Sequence, residues 1–170
     1  MILGIPTGIF TQLHVIISLI GIVTGFVVLF AMLKRQRARY WVEAFLATTI
    51  ATSITGFMFH SKFGPPRVIG VISLAVLAIA LTALYGFRLA GSWRWVYIVS
   101  VTISLYLNVF VGVVQTFQKV PFFHSLAPTQ AEPPFAIVQG IVLLAFIALG
   151  IIAAKRFHPS PTALSAVSVQ

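Results

Sequence analysis

The chain has 170 residues, of which 59% are hydrophobic and 8% charged, with a mean hydropathy of +1.06 and no cysteine. Soluble domains carry roughly one-quarter charged residues, so an ordinary water-soluble fold is excluded. So are disulfides, thiol redox chemistry and thiolate metal sites. The net charge of +9 suggests nucleic acid only until its placement is read.

Met1–Gln12 contains no base, unlike the basic start of a cleavable signal peptide. It reads as a short outside tail before an uncleaved first span, Leu13–Leu33. Four more apolar stretches follow: Trp41–His60, Val68–Phe87, Val96–Phe117 and Phe135–Ala154. Each has the ~20 residues that cross a hydrocarbon core as a helix. Their only Asp, Glu, Lys or Arg is Glu43, at a span end near Arg39, where a carboxylate suits the positive end of the helix dipole. The expected fold is therefore all-α, a single five-helix transmembrane domain over residues 1–156. A disordered cytoplasmic tail is expected over 157–170.

The connections carry the charge. Lys34, Arg35, Arg37, Arg39, Arg88, Arg94, Lys155 and Arg156 fall on one side, and Lys62, Arg67 and Lys119 on the other. Cytoplasmic loops are the richer in Lys and Arg, which puts the N-terminus outside and the C-terminus inside. Such a rim meets the lipid bilayer, and nucleic acid is not expected as a partner. Tyr40, Trp41, Trp93, Trp95 and Tyr97 are expected at the same headgroup level. Gly91 is read as the break in the turn Arg88–Arg94, and Gly64-Pro65-Pro66 as the stop between spans two and three. The outer connection Gln118–Pro134, with four prolines, reads as an extended surface segment in which Phe122 and Phe123 can dip into the interface. No internal repeat supports an inverted-repeat transporter.

His14, Ser18, Gly21 and Gly25 share one face of the first span, and Thr49, Ser53, Gly56 and His60 share one face of the second. Small residues let helices approach closely, so the two faces predict a tight antiparallel hairpin. In the predicted register His14 lies beside His60, Ser18 beside Gly56, Gly21 beside Ser53, and Gly25 beside Thr49. Thr48, Thr52 and Thr55 can bond back to the preceding turn and need no function.

Ser104, Asn108, Gly112 and Gln115 form one face of the fourth span, expected to point into the bundle because an unpaired amide is costly in hydrocarbon. Gln139 in the fifth span is the expected partner of Gln115. These amides either tie helices together or, as Asn108, Gln115 and Gln139, line a site for a small neutral or lipid-like ligand. His14, His60, His124 and Glu132 gather at the outer side, a set from which a divalent metal, b-haem or proton-responsive site can be built. Nothing in the sequence requires a cofactor.

Ion pumping normally needs ionisable groups at membrane depth, and no Asp, Glu, Lys or Arg lies deep in a span. Serine hydrolase, phosphate-loop, zinc-protease and dinucleotide motifs are also missing. The expected role is non-enzymatic: an accessory or assembly subunit of a larger membrane complex, with a membrane-protein partner or a second copy of itself.

Several segments resemble a family of small, uncharacterised five-span inner-membrane proteins of Proteobacteria. They are His14–Gly21, Phe45–Thr49 with Thr55–Phe57, Leu89–Trp95, and Leu105–Val111 leading through Gln115 and Lys119–Pro121 to Leu126–Gln130 and Glu132–Phe135. The family pattern often has a histidine shortly before the third span, where this chain has Arg67. The resemblance implies a multi-pass protein of the bacterial inner (plasma) membrane and no particular activity.

Overall fold

The computed structural model describes residues 2, 4–36, 38–59 and 65–158, and among them every regular element is helical. Six α-helices follow in order: α1 Thr7–Leu33, α2 Arg39–Met58, α3 Pro65–Leu81, α4 Trp93–Lys119, α5 Pro121–Leu126 and α6 Pro133–Arg156. A five-residue π-helical turn, Thr82–Gly86, continues α3. Among the described residues four stretches are long and apolar enough to cross a membrane: Thr7–Leu33, Arg67–Gly86, Trp93–Lys119 and Pro133–Arg156. Helix α2 has 20 residues, but its threonines, Ser53, Arg39 and Glu43 dilute its apolar content, and it is not among the four.

Helix α1 starts earlier than its apolar run. Pro6 precedes it, and Thr11 returns a hydrogen bond to the Thr7 carbonyl at 2.8 Å. His14 is therefore well inside a helix of 27 residues, about 40 Å long, rather than at its end. The outer connection also differs from an extended segment. Pro121 starts the short helix α5, and Pro133 and Pro134 open α6, where proline's missing N–H costs nothing. Phe123 packs on Phe117 at 5.3 Å between ring centroids, while Phe122 stays exposed.

The long helices alternate in direction. Along α1 and α2, Phe10 meets Phe59, His14 meets Thr55, and Gly25 meets Phe45. Along α4 and α6, Phe110 meets Gln139, Tyr106 meets Phe146, and Thr102 meets Gly150. Helix α4 is the hub, packing on α1, α3 and α6, while α2 is held between α1 and α3. Glycines admit the bulky knobs. A Cβ at Gly25 would lie 2.8 Å from the Phe45 ring, and one at Gly70 would lie 3.0 Å from Phe57.

The dense core fills one half of the bundle. Leu29, Met32, Phe45, Leu77, Tyr97, Ile98 and Val101 are all but fully buried there, with Ala153, Ala154 and Phe157 closing it. This end also holds the described bases Lys34, Arg35, Arg39, Arg88, Arg94, Lys155 and Arg156. Arg94 Nη1 donates to the Phe157 carbonyl at 3.0 Å, tying the start of α4 to the end of α6. Arg39 pairs with Glu43 at 3.0 Å, as their spacing implies. Tyr97 departs from the expected aromatic belt, because it faces the core beside Ile98, whereas Tyr40, Trp41 and Trp95 are exposed. The helical run ends at Arg88 and Leu89, both left-handed with φ of 49° and 61°, ahead of Gly91. Burial of Leu89 and its N–H bond to the Ala83 carbonyl at 3.0 Å offset that strain.

Candidate functional site

Above the dense core, the interior becomes polar. Gly21 of α1 is the floor of this seam. A Cβ there would lie 3.3 Å from Thr48 Oγ1, 3.5 Å from Thr49 Oγ1 and 3.6 Å from Asn108 Nδ2. Asn108 Nδ2 donates to Thr49 Oγ1 at 3.0 Å, joining α4 to α2 across the glycine. The bond exists because α1 has no side chain at that level to separate the two helices.

The small faces of α1 and α2 do meet, but one helical turn away from the predicted register. His14 lies over Gly56 and bonds Thr55, with its ring edge against Phe59 at 5.2 Å between centroids. Gly21 faces Thr48 and Thr49 instead of Ser53, and Gly25 faces Phe45 instead of Thr49. The physical reason is Phe45. Pairing every small residue with another small residue leaves that ring no slot, whereas sliding α2 by one turn seats it on Gly25. His60 lies outside the described residues, so its predicted pairing with His14 does too.

The His14 contact defines a tautomer. Thr55 Oγ1 sits 2.7 Å from the Ala51 carbonyl oxygen and 2.7 Å from His14 Nδ1. Each of these short contacts needs a proton between its heavy atoms. The threonine has one hydroxyl proton, which goes to the carbonyl, since that oxygen has none to give. The other must be the imidazole N–H. His14 therefore donates from Nδ1, and when neutral it carries its lone pair on Nε2.

The other predicted ligands do not join it. His124 is exposed on α5. Glu132 is engaged locally: its Oε1 accepts from the Thr129 hydroxyl at 2.9 Å and the Thr129 amide at 3.2 Å. Among the described residues no three His, Asp or Glu side chains converge as a metal site.

The amide set also divides. Gln115 is exposed, whereas Gln139 is buried and donates to the Phe110 carbonyl at 3.2 Å. The expected Gln115–Gln139 pair is thus replaced by a side-chain to backbone bond between α6 and α4.

Thr48 and Thr55 bond back to the preceding turn, while the buried Thr52 hydroxyl finds no partner among the described residues. The same holds for Ser104 Oγ, Thr102 Oγ1 and Gln139 Oε1. Spacing already singles out Thr52, Ser104 and Gln139, whereas Thr102 is found only in the structure. Chemically, the seam offers neutral donors and acceptors and one imidazole. Comparison with known proteins finds no family model, curated protein or solved structure that this chain matches.

Proposed function

We propose that this chain is a non-enzymatic, multi-pass protein of the bacterial inner membrane that serves as an accessory or assembly subunit of a larger membrane complex. The observation that carries the reading is the use made of its interior polar groups. Asn108 is committed to Thr49, His14 to Thr55 and Gln139 to the Phe110 carbonyl, each bond joining two helices. Polar side chains spent in this way define helix partners and register rather than a reaction. The bacterial inner-membrane placement rests on the family resemblance.

Five crossings, with the N-terminus outside, belong to the same reading. In support, α2 packs antiparallel on α1 with Phe45, Leu46, Thr49 and Ser53 buried, so bundle neighbours shield its polar face. The clustering of the described bases at one end fits a cytoplasmic rim. Purification of a tagged full-length chain in mild detergent is expected to recover a membrane-protein partner at fixed stoichiometry. A chain that runs alone after cross-linking in native membranes overturns the subunit reading.

A second reading, a carrier or binding protein for a small neutral or lipid-like ligand, is favoured by one observation. Ser104 is fully buried, and its hydroxyl has no partner among the described residues, one turn from Asn108. Buried hydroxyls ordinarily find a partner, and a bound polar molecule supplies one. A ligand retained by the purified protein and lost in both Ser104→Ala and Asn108→Leu supports this reading. Equal small-molecule content in all three proteins removes it.

A further inference from the structure

We infer that the basic end of the bundle is a binding surface for the headgroups of anionic phospholipids, with the acyl chains lying along the adjoining apolar helix faces. The inference rests on the membrane reading but not on the subunit role.

Seven described bases lie at this end, and two are already engaged: Arg39 with Glu43, and Arg94 with the Phe157 carbonyl and, 5.6 Å from the ring centroid, the face of Trp95. Lys34, Arg35, Arg88, Lys155 and Arg156 remain exposed with no ion pair among the described residues. The only described acid at this end, Glu43, is the one held by Arg39. Five uncompensated cations around one rim need external anions.

Two further features select a lipid over a soluble anion. Tyr40, Trp41, Tyr85, Phe87 and Trp95 are exposed at the same end, a level of aromatic rings suited to the headgroup region. Directly behind the cations run unburied apolar flanks: Phe30 and Val23 on α1, Ile147, Ile151 and Ile152 on α6. Lys155 and Arg156 thus end a continuous apolar wall. An amphiphile with a negative head and long chains complements both parts, while free phosphate or a nucleic acid complements only the charge. The opposite end, with Lys119 on α4, lacks such a cluster of cations among the described residues.

The test uses the full-length chain in vesicles of mixed phosphatidylcholine and phosphatidylglycerol, with retained lipid counted by native mass spectrometry after gentle solubilisation. Phosphatidylglycerol should be enriched over phosphatidylcholine, and the enrichment should fall as salt is raised. Arg88→Gln and Lys155→Gln should each reduce it about fivefold, the equivalent of one basic residue at an anionic surface. Lys119→Gln should leave it unchanged. Equal retention of the two lipids overturns the inference, as does the same loss from Lys119→Gln. Displacement by inorganic phosphate or by a short DNA duplex at equal charge concentration also overturns it, by making the surface a general anion site. Flotation with the vesicles separates the two failures. A chain that does not float breaks the membrane reading, and one that floats without lipid preference breaks only this inference.

Discussion

The ring of Phe45 occupies the space that a side chain at Gly25 would need. A Cβ there would sit 2.8 Å from the ring and 2.5 Å from Leu105 Cδ1. Three helices meet at this point, α1, α2 and α4, and the missing side chain lets them close. Gly25→Ala should therefore destabilise the bundle by about 1–3 kcal/mol, the usual result of overpacking a dense core. Gly8→Ala, with open space around it, is the control. Denaturant titration in detergent with Trp fluorescence measures both, and equal midpoints would reject the packing argument.

The one-turn register of α1 against α2 can be read by cross-linking, because the chain has no cysteine to interfere. The pair His14→Cys with Gly56→Cys should form a disulfide readily under mild oxidation. Ser18→Cys with Gly56→Cys, the pair of the predicted register, should form one slowly or not at all. A reversed order of rates restores the predicted register.

Asn108 and Thr49 should be energetically coupled. Interhelical hydrogen bonds in membrane proteins are worth about 0.6 kcal/mol on average and at most about 1.7 kcal/mol. A double-mutant cycle with Asn108→Leu and Thr49→Val should return a coupling in that range, with Asn108→Leu alone destabilising. Strict additivity of the two changes means that the bond at 3.0 Å contributes nothing net.

His14 should show nitrogen NMR shifts of a protonated Nδ1 and, when the ring is neutral, an unprotonated Nε2. The bond to Thr55 uses Nδ1–H, so taking up a proton at Nε2 leaves that bond in place. His14→Ala should lower the melting temperature, because it removes a bond between α1 and α2. An Nε2–H tautomer at neutral pH contradicts the assignment. A haem absorption band or bound metal lost in His14→Ala would place a ligand on Nε2.

Glu132 provides the pH-dependent element outside the spans. Burial raises its carboxyl pKa, but bonds from the Thr129 hydroxyl and from the amides of Glu132, Thr129 and Ala131 together outweigh it, and the net shift is downward. A folded-state pKa below the unfolded one means stabilisation that is complete above the unfolded pKa and lost as pH falls through the folded one. Exchange of the Thr129 amide should accordingly be protected near neutral pH and lose protection in acid, relative to the pH dependence of intrinsic exchange. In Glu132→Gln that extra loss should be absent. Protection with the same pH profile in both proteins rejects the role.

Much of this molecule is determined by local chemistry that a sequence displays. Runs of about 20 apolar residues specify helices wherever they fall, because the backbone must satisfy its own hydrogen bonds in hydrocarbon. The grouping of bases and the small faces of α1 and α2 follow from spacing alone. So does the Arg39–Glu43 pair, which is four residues apart on one helix. What spacing cannot settle is the depth at which two matching faces stop sliding. The Phe45 ring settled it by seating on Gly25, and that shift of one turn carried His14 to Thr55. The destinations of Gln115 and Gln139 were tertiary as well, since a helix face is a continuous direction and only the neighbouring helix decides which part is inside. Tyr97 is buried in a core cluster drawn from α1, α2, α3, α4 and α6, against the preference of a tyrosine for the membrane interface. Helix formation is a local matter of hydrogen bonds and transfer from water, whereas register and burial depend on the volumes of side chains brought together from distant parts of the chain.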